Sequence, residues 1–484
     1  MDKFLKKMTS NSMQLLMLGF ALLSGCASMP STVSQIIQKN QLSTDQTDQS
    51  GGHLKSFAIG GKGLDCGMSI ACKPDGSCIL FGETVASFGN TIDYLAIRTS
   101  PDQQILWAKT YDGSGSDRAL YVVAASDGGY LLVGLSKSVL ATPLKYPDKP
   151  LYPLVIKTDA SGNVQWARAI QYLSNADFSL YNVIRSSDGG YVFSGYCEGK
   201  GPLLFRLSAQ GEYLWGRYYE LSKAELHQLR VAETSDRQLA VMFNCEDSFG
   251  LFLADHYGKP IWGKIYKNEE TSLIRAEGVV DDGKSGLVMV AANVTKSESK
   301  VKAAVAVIKV TEHGEVLWGH QYTVGELNVP TMILRGNDHD FAITGITGEG
   351  VLAYRYLNNR NNRAVNEFML LIDDNGSEKS SFVSSMKPWD GTNSVSTTEK
   401  SYYTLGTLPS SNSMMNFYFS EWQPQKEKTI SNPGLFSKKA FKVQQEVAAI
   451  NSSSVELPTI EVTKFLSINE LKVENGTSMA GKIK

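Results

Sequence analysis

The chain has 484 residues, 42% hydrophobic, 10% aromatic and 20% charged, with Lys+Arg 47 against Asp+Glu 49. This balance excludes a disordered chain, a nucleic-acid binder driven by bulk charge and a polytopic membrane protein. Length alone suggests two or three domains; 43 Gly against 15 Pro indicate many tight turns, and six His and six Cys leave little material for metal or thiol chemistry.

Residues 1–25 read as an export signal. Lys3, Lys6 and Lys7 form a basic start, and Met13 to Leu23 is an apolar run broken by Gln14 and Gly19. Such a run is too short to span about 30 Å of hydrocarbon comfortably. It ends in Leu23-Ser24-Gly25-Cys26, which resembles the bacterial lipobox. The resemblance implies cleavage before Cys26, a diacylglycerol on its sulfur and acylation of its amine. Several acyl chains on one residue give stable membrane attachment. By the same resemblance, Ala27 in place of Asp implies sorting to the outer membrane. The plainer alternative is an ordinary signal peptide or uncleaved anchor with an incidental Cys. Residues 26–52, rich in Ser, Thr, Gln and Asp, are expected to be a flexible tether.

An internal repeat follows. Ser126-Asp127-Gly128-Gly129-Tyr130 and Ser187-Asp188-Gly189-Gly190-Tyr191 are copies, each with a Gly four residues further on, at Gly134 and Gly195. The same spacing of an acidic anchor, a hydrophobic residue and a Gly recurs at Asp75, Asp338 and Glu399, with variants at Asp236 and Asp282. Between these anchors, Trp166, Trp215, Trp262 and Trp318 each stand four residues after a turn Gly, and Trp107 stands four after Gln103. The segments before these Trp are β-patterned, as in Leu154-Val155-Ile156-Lys157-Thr158. Each repeat therefore reads as four short strands with two tight turns, where Gly and Asp tolerate positive φ. A unit of about 50 residues holding four strands is the sequence form of a β-propeller blade.

The anchors predict an all-β, seven-bladed β-propeller over residues 53–424, with six or eight blades as the alternative. His53 to Gly61 aligns without a gap on Ile105 to Gly113 and has no earlier partner strands, whereas the last repeat ends at Trp422 without a final strand. Joining the two closes the ring and pairs edges that would otherwise invite aggregation. The Trp, Tyr and Gly repeat positions are expected to pack between blades rather than to stack on ligands.

Chemistry candidates are few. Gly278 to Ser285 matches the phosphate-loop pattern, but that mechanism needs a helix after the loop, and Gly286 to Val290 continues as a strand. We expect no nucleotide and no nucleic acid. Asp112-Gly113-Ser114-Gly115-Ser116-Asp117 suggests a calcium loop, yet its counterpart places Lys62 among the ligands. Turn or inter-blade hydrogen bonding is the expectation there, with no metal and no cofactor. Cys72 and Cys78 flank a short hairpin turn and are candidates either for a disulfide or for two free thiols. Cys197 and Cys245 fall on equivalent points of adjacent repeats, about 10 Å apart as stacked sheets. The chain lacks G-x-S-x-G, H-E-x-x-H and C-x-x-C motifs.

From residue 425 to 484 the composition turns to Lys, Glu, Ser and Thr. This polar tail is expected either to be mobile or to order on a partner. Taken together, the repeats resemble the DGGY…G…W type of exported bacterial propellers, and with the lipobox they resemble lipid-anchored propeller scaffolds. That resemblance implies a non-catalytic scaffold on the outer membrane facing the periplasm, with envelope proteins as partners in an assembly or secretion complex. The alternatives are a propeller glycan hydrolase or lyase, or a ligand- or glycan-binding surface lipoprotein. A repeat type specifies fold, not activity.

Overall fold

The computed structural model describes residues 36–41, 46–47 and most of 53–475. Residues 1–35 and 476–484 lie outside the described residues, as do several connections, the longest being 137–151 and 349–365. Every described element is a β-strand.

Consecutive strands pair as antiparallel meanders. Residues 65–112, 117–170, 178–221 and 227–268 each supply four successive strands of one sheet. Residues 273–383 form a larger sheet, whose two four-strand halves are linked in the backbone ladder by a single pair, Ala303 opposite Leu327. The strands of 392–423 pair onward with His53–Gly60, Leu54 lying opposite Trp422 and Ile59 opposite Phe417.

Burial follows strand position. Second and third strands such as Tyr130–Ser136 and Tyr152–Thr158 are buried at every residue, as their continuous apolar runs require. First strands such as Asp117–Ala124 are only intermittently buried. Each first strand lies against the next: Asp65–Cys72 on Asp117–Ala124, then Phe178–Arg185, His227–Glu233, Leu273–Asp281, Leu327–Arg335 and Thr392–Thr397. Thr392–Thr397 in turn lies against Asp65–Cys72. Side chains join these neighbours: the N–H groups of Val122, Val231 and Ile70 donate to Ser69 Oγ, Asn182 Oδ1 and Ser394 Oγ at 3.0, 3.0 and 3.1 Å.

The segment expected to be a flexible tether, and the tail expected to be mobile or to order on a partner, both contain strands that pair with the chain's own sheets. In the tether, Ile36–Gln41 runs antiparallel to His53–Gly60 and buries Ile37 completely, and Gln46–Thr47 pairs with the same strand. The outer edge of His53–Gly60 otherwise leaves a row of unpaired backbone groups, and Ile37 gives the tether something apolar to bury.

The tail departs further from expectation. Ser437–Ala440, Val443–Val447, Ile450–Ser454, Thr459–Glu461 and Ser467–Glu470 each add to the outer strand of a different sheet, visiting the sheets in reverse chain order. Lys472–Asn475 then pairs in parallel with Ile36–Gln41. Between these strands, the N–H groups of Phe441, Ala448, Val455 and Leu471 donate to the carbonyls of Gly319, Gly263, Gly216 and Ala108, each the residue after a repeat Trp. A Cβ on Gly319, Gly263 or Gly216 would meet a tail carbonyl oxygen at 2.5, 2.8 or 3.2 Å. The Trp-Gly pairs thus make room for the tail backbone. A polar tail docks because backbone pairing supplies most of the contact, and one apolar residue per step (Phe441, Ala448) suffices to anchor it.

Candidate functional site

The sheets have two unlike ends. At one end the first strand turns into the second, and the third into the fourth, through tight turns of nearly constant length. In the first kind, the N–H of Lys73, Ala125, Ser186 and Thr234 each bonds the carbonyl four residues on. Asp75, Asp127, Asp188 and Asp236 hold the third position of these turns. Asp127 and Asp188 accept the N–H of Gly129 and Gly190, and a cation on the third strand, Lys157 or Arg206, pairs with each. Burial opposes ionisation of Asp127, but the Lys157 ammonium and the Gly129 N–H outweigh it and hold its carboxyl below the usual range. The residue after the anchor has positive φ: Gly76, Gly128 and Gly189, but also Arg237 and His339.

Asp282 departs from the register read from the sequence. Its own N–H bonds the Gly286 carbonyl, so it opens its turn, two positions earlier than Asp127 does. From there its carboxylate accepts the N–H of Lys284 and Gly286 and pairs with Lys309 at 3.0 Å. The phosphate-loop match is this turn between two strands, and Lys284 pairs with Asp374. Asp338 and Glu399 lie outside the described residues.

The second kind of turn explains the Trp. Trp107, Trp166, Trp215, Trp262 and Trp318 each donate Nε1–H to a turn carbonyl of the following repeat, at 3.0 to 3.3 Å. The ring lies over the turn glycine there: a Cβ on Gly211, Gly258 or Gly314 would come within 2.9, 2.8 or 2.8 Å of it. Those glycines also have φ between 75 and 80°. Tyr111, Tyr219, Tyr266 and Tyr322, four residues after their Trp, donate to the carbonyls of the turn glycines Gly162, Gly258, Gly314 and Gly376. These anchors therefore form an inter-sheet fastening that uses up their polar groups.

At the opposite end the connections differ greatly in length. Only residues 246–247 separate Ser248–Ala254 from the strand before it, whereas 349–365 stand between Phe341–Gly348 and Asn366–Ile372. Between the ends, every first strand carries a bulge, with Tyr181 and Glu277 among the extra residues. Arg230 Nη1 donates to the Tyr181 carbonyl at 2.8 Å, as does the Tyr121 hydroxyl at 2.5 Å. Glu277 pairs with Arg275 at 3.1 Å; burial raises its carboxyl above the usual range, with Arg275 and Arg230 opposing. Bulges of this kind re-aim side chains locally.

The varied end also gathers three carboxylates. Asp93 begins the third strand Ile92–Thr99 at its second residue, Asp112 ends Ile105–Asp112, and Asp117 opens the first strand of the next sheet. One oxygen from each lies within 4.8 Å of the others. Burial, then the charge of Asp112, pushes Asp93 up to about 7. The sequence showed Asp112 and Asp117 but not Asp93, because pairing across the sheet brings it there.

Cys26 lies outside the described residues. Cys72 and Cys78 stand directly opposite one another and form a disulfide. Cys66, Cys197 and Cys245 take part in none, the last two being buried.

No family model matches the chain, and no curated protein matches it. Solved structures resemble it distantly. A protein of unknown function from Dyadobacter fermentans gives a TM-score of 0.38 at 10% identity, over 80% of this chain and 99% of its own. A mutant of the NanB sialidase from Streptococcus pneumoniae gives 0.31 at 12%, over 66% of this chain and 55% of its own. Drosophila Plexin A, solved with Semaphorin 1b, gives 0.36 at 8%, over 75% and 85%. Likenesses at this level accompany an all-β fold of many antiparallel sheets and say nothing of activity.

Proposed function

We propose that the chain is a lipid-anchored, seven-bladed propeller that serves as a non-catalytic scaffold in the bacterial envelope. Seven blades follow if the sheet of 273–383 counts as two, since one ladder pair alone links the backbones of its halves. Closure by His53–Gly60 is supported by its pairing with Met415–Gln423 and by the contact of Thr392–Thr397 with Asp65–Cys72. The anchor is Cys26, on the strength of its lipobox resemblance, with the outer membrane as destination and the periplasm as the side it faces.

The observation that carries the scaffold reading is the contrast between the two ends. One end is fixed by repeated fastenings, and length variation is confined to the other, where loops on a rigid frame mediate recognition. The tail covers outer strand edges, so partners meet the loop end rather than the blade edges or the tail. The test is chemical crosslinking with mass spectrometry in native envelopes, using the wild-type chain and one with residues 349–365 replaced by a short Gly-Ser linker. A crosslinked envelope protein that loses its links to the replaced chain supports the reading. Identical crosslinks in both chains, or none to any other protein, refute it. For the anchor, Cys26→Ser should abolish incorporation of labelled fatty acid; retained label would refute the assignment.

A further inference from the structure

The geometry points to a divalent-cation site: we propose that Asp93, Asp112 and Asp117 hold one calcium ion that joins the sheet of 65–112 to the sheet of 117–170. Three strands from two sheets bring one carboxylate each to a spot where their oxygens lie within 4.8 Å of one another. Calcium ligands sit 2.3–2.6 Å from the ion, so oxygens at this spacing surround it with little movement.

The independent observation is Asp93. Its side chain is buried, at 4% exposure, and its Oδ1 has no hydrogen-bond partner among the described residues. A buried carboxylate oxygen without a partner is costly, and a second carboxylate beside it makes ionisation costlier still. The charge of Asp112 stands close enough to Asp93 to repel it. A bound cation would satisfy that oxygen and reverse the sign of the local field. Asp117 is itself fully buried, and Ser136 Oγ–H donates to its Oδ1, which fixes the carboxylate in place. Three protein carboxylates converging from separate strands suit calcium better than magnesium, which keeps most of its waters and binds through one or two carboxylates. The ion would act as a staple between sheets at the loop end, where the Trp and Asp fastenings of the other end are absent.

The test uses the full chain, purified in detergent and stripped with EDTA. Calorimetric titration with CaCl2 should reveal one saturable site, and saturating calcium should raise Tm by about 2 °C or more. MgCl2 should bind at least tenfold more weakly. Asp93→Asn should weaken calcium binding at least tenfold, yet in EDTA melt no lower than wild type, because it removes one of three crowded charges. Asp112→Asn, at a less buried position, serves as the second variant should Asp93→Asn fail to fold. Absence of saturable calcium binding to wild type, or wild-type affinity in the variant that folds, overturns the proposal. Equal affinity for magnesium overturns the assignment to calcium.

Discussion

Gly319→Val separates the tail from the sheet it covers. Gly319 follows Trp318 in the strand Val316–Thr323, and its φ is not in the left-handed region, so Val fits the backbone there. Within the strand, Val replaces the least favourable residue with one of the most favourable, by up to about 1 kcal/mol. The new Cβ, however, would stand 2.5 Å from the Phe441 carbonyl oxygen, so the tail must move away. Moving it breaks the bond from Phe441 N–H to the Gly319 carbonyl, worth about 1 kcal/mol. It also exposes the Phe441 side chain, now at 4% exposure, for about 2 kcal/mol more. A loss of about 3 kcal/mol corresponds to roughly 100-fold faster local opening. Amide hydrogen exchange read by mass spectrometry should show that acceleration in peptides covering 437–447, with Val301–Thr311 unchanged and Tm equal or higher. Unchanged protection of the tail would refute the docking. Loosening of Val301–Thr311 together with the tail would show that Gly319 serves the sheet rather than the tail.

Trp215→Ala removes the Nε1–H bond to the His256 carbonyl and the ring over Gly258, and should cost about 3 kcal/mol in denaturant unfolding. Trp215→Phe, which keeps a ring without the donor, should cost about 1 kcal/mol. The Cys72–Cys78 disulfide closes a short loop already held by the Lys73–Ser77 turn, so Cys72→Ser with Cys78→Ser should lose at most about 2 kcal/mol. Lys39 gives a pH signature: burial lowers its pKa to about 8, against the pull of Asp102 and Glu421. The unfolded chain keeps that proton up to about 10.4, so it binds more protons than the native state between pH 8 and 10, and stability rises with pH across that window. The rise should be of order 1 kcal/mol in wild type and absent in Lys39→Met, as melts at pH 7.5 and 9.5 would show.

Strand patterning and turn chemistry were legible wherever one residue sufficed to mark them. The Gly at 128 and 189 marked the positive-φ position, and Asp127 and Asp188 marked the acceptor that fixes it. Where a turn met the same geometry by other means, the reading slipped. Arg237 and His339 take positive φ without glycine, and Asp282 reaches Gly286 from the start of its turn rather than its middle. What the repeat Trp pack on was not visible in the sequence: each covers a glycine of the following repeat, about 50 residues away. The tail was misread because composition was weighed above spacing. Phe441, Ala448 and Val455 recur every seven residues, and three of the repeats have Gly directly after Trp; the two patterns are halves of one contact. Asp93 was beyond sequence reasoning, since nothing local ties it to Asp112 and Asp117.

The first and last described strands meet on one sheet, and this alters how the proposed anchor would act. Ile36–Gln41 is held by His53–Gly60 on one side and by Lys472–Asn475 on the other, Ile36 standing opposite Lys472. Ten residue steps separate Cys26 from Ile36, the first residue of that strand. Fully extended, ten residues reach about 35 Å. A lipid on Cys26 would thus keep the edge of the closing sheet within that distance of the bilayer. Pull on the anchor would load Ile36–Gln41 first, a strand whose outer partner is the end of the tail. Each half of this arrangement guards the other: the tail's last strand shields the edge of the tether strand, and the tether strand gives the tail its final place to pair. Loss of residues 467–475 should therefore loosen Ile36–Gln41 as well as the tail, although more than 400 residues separate them in the chain.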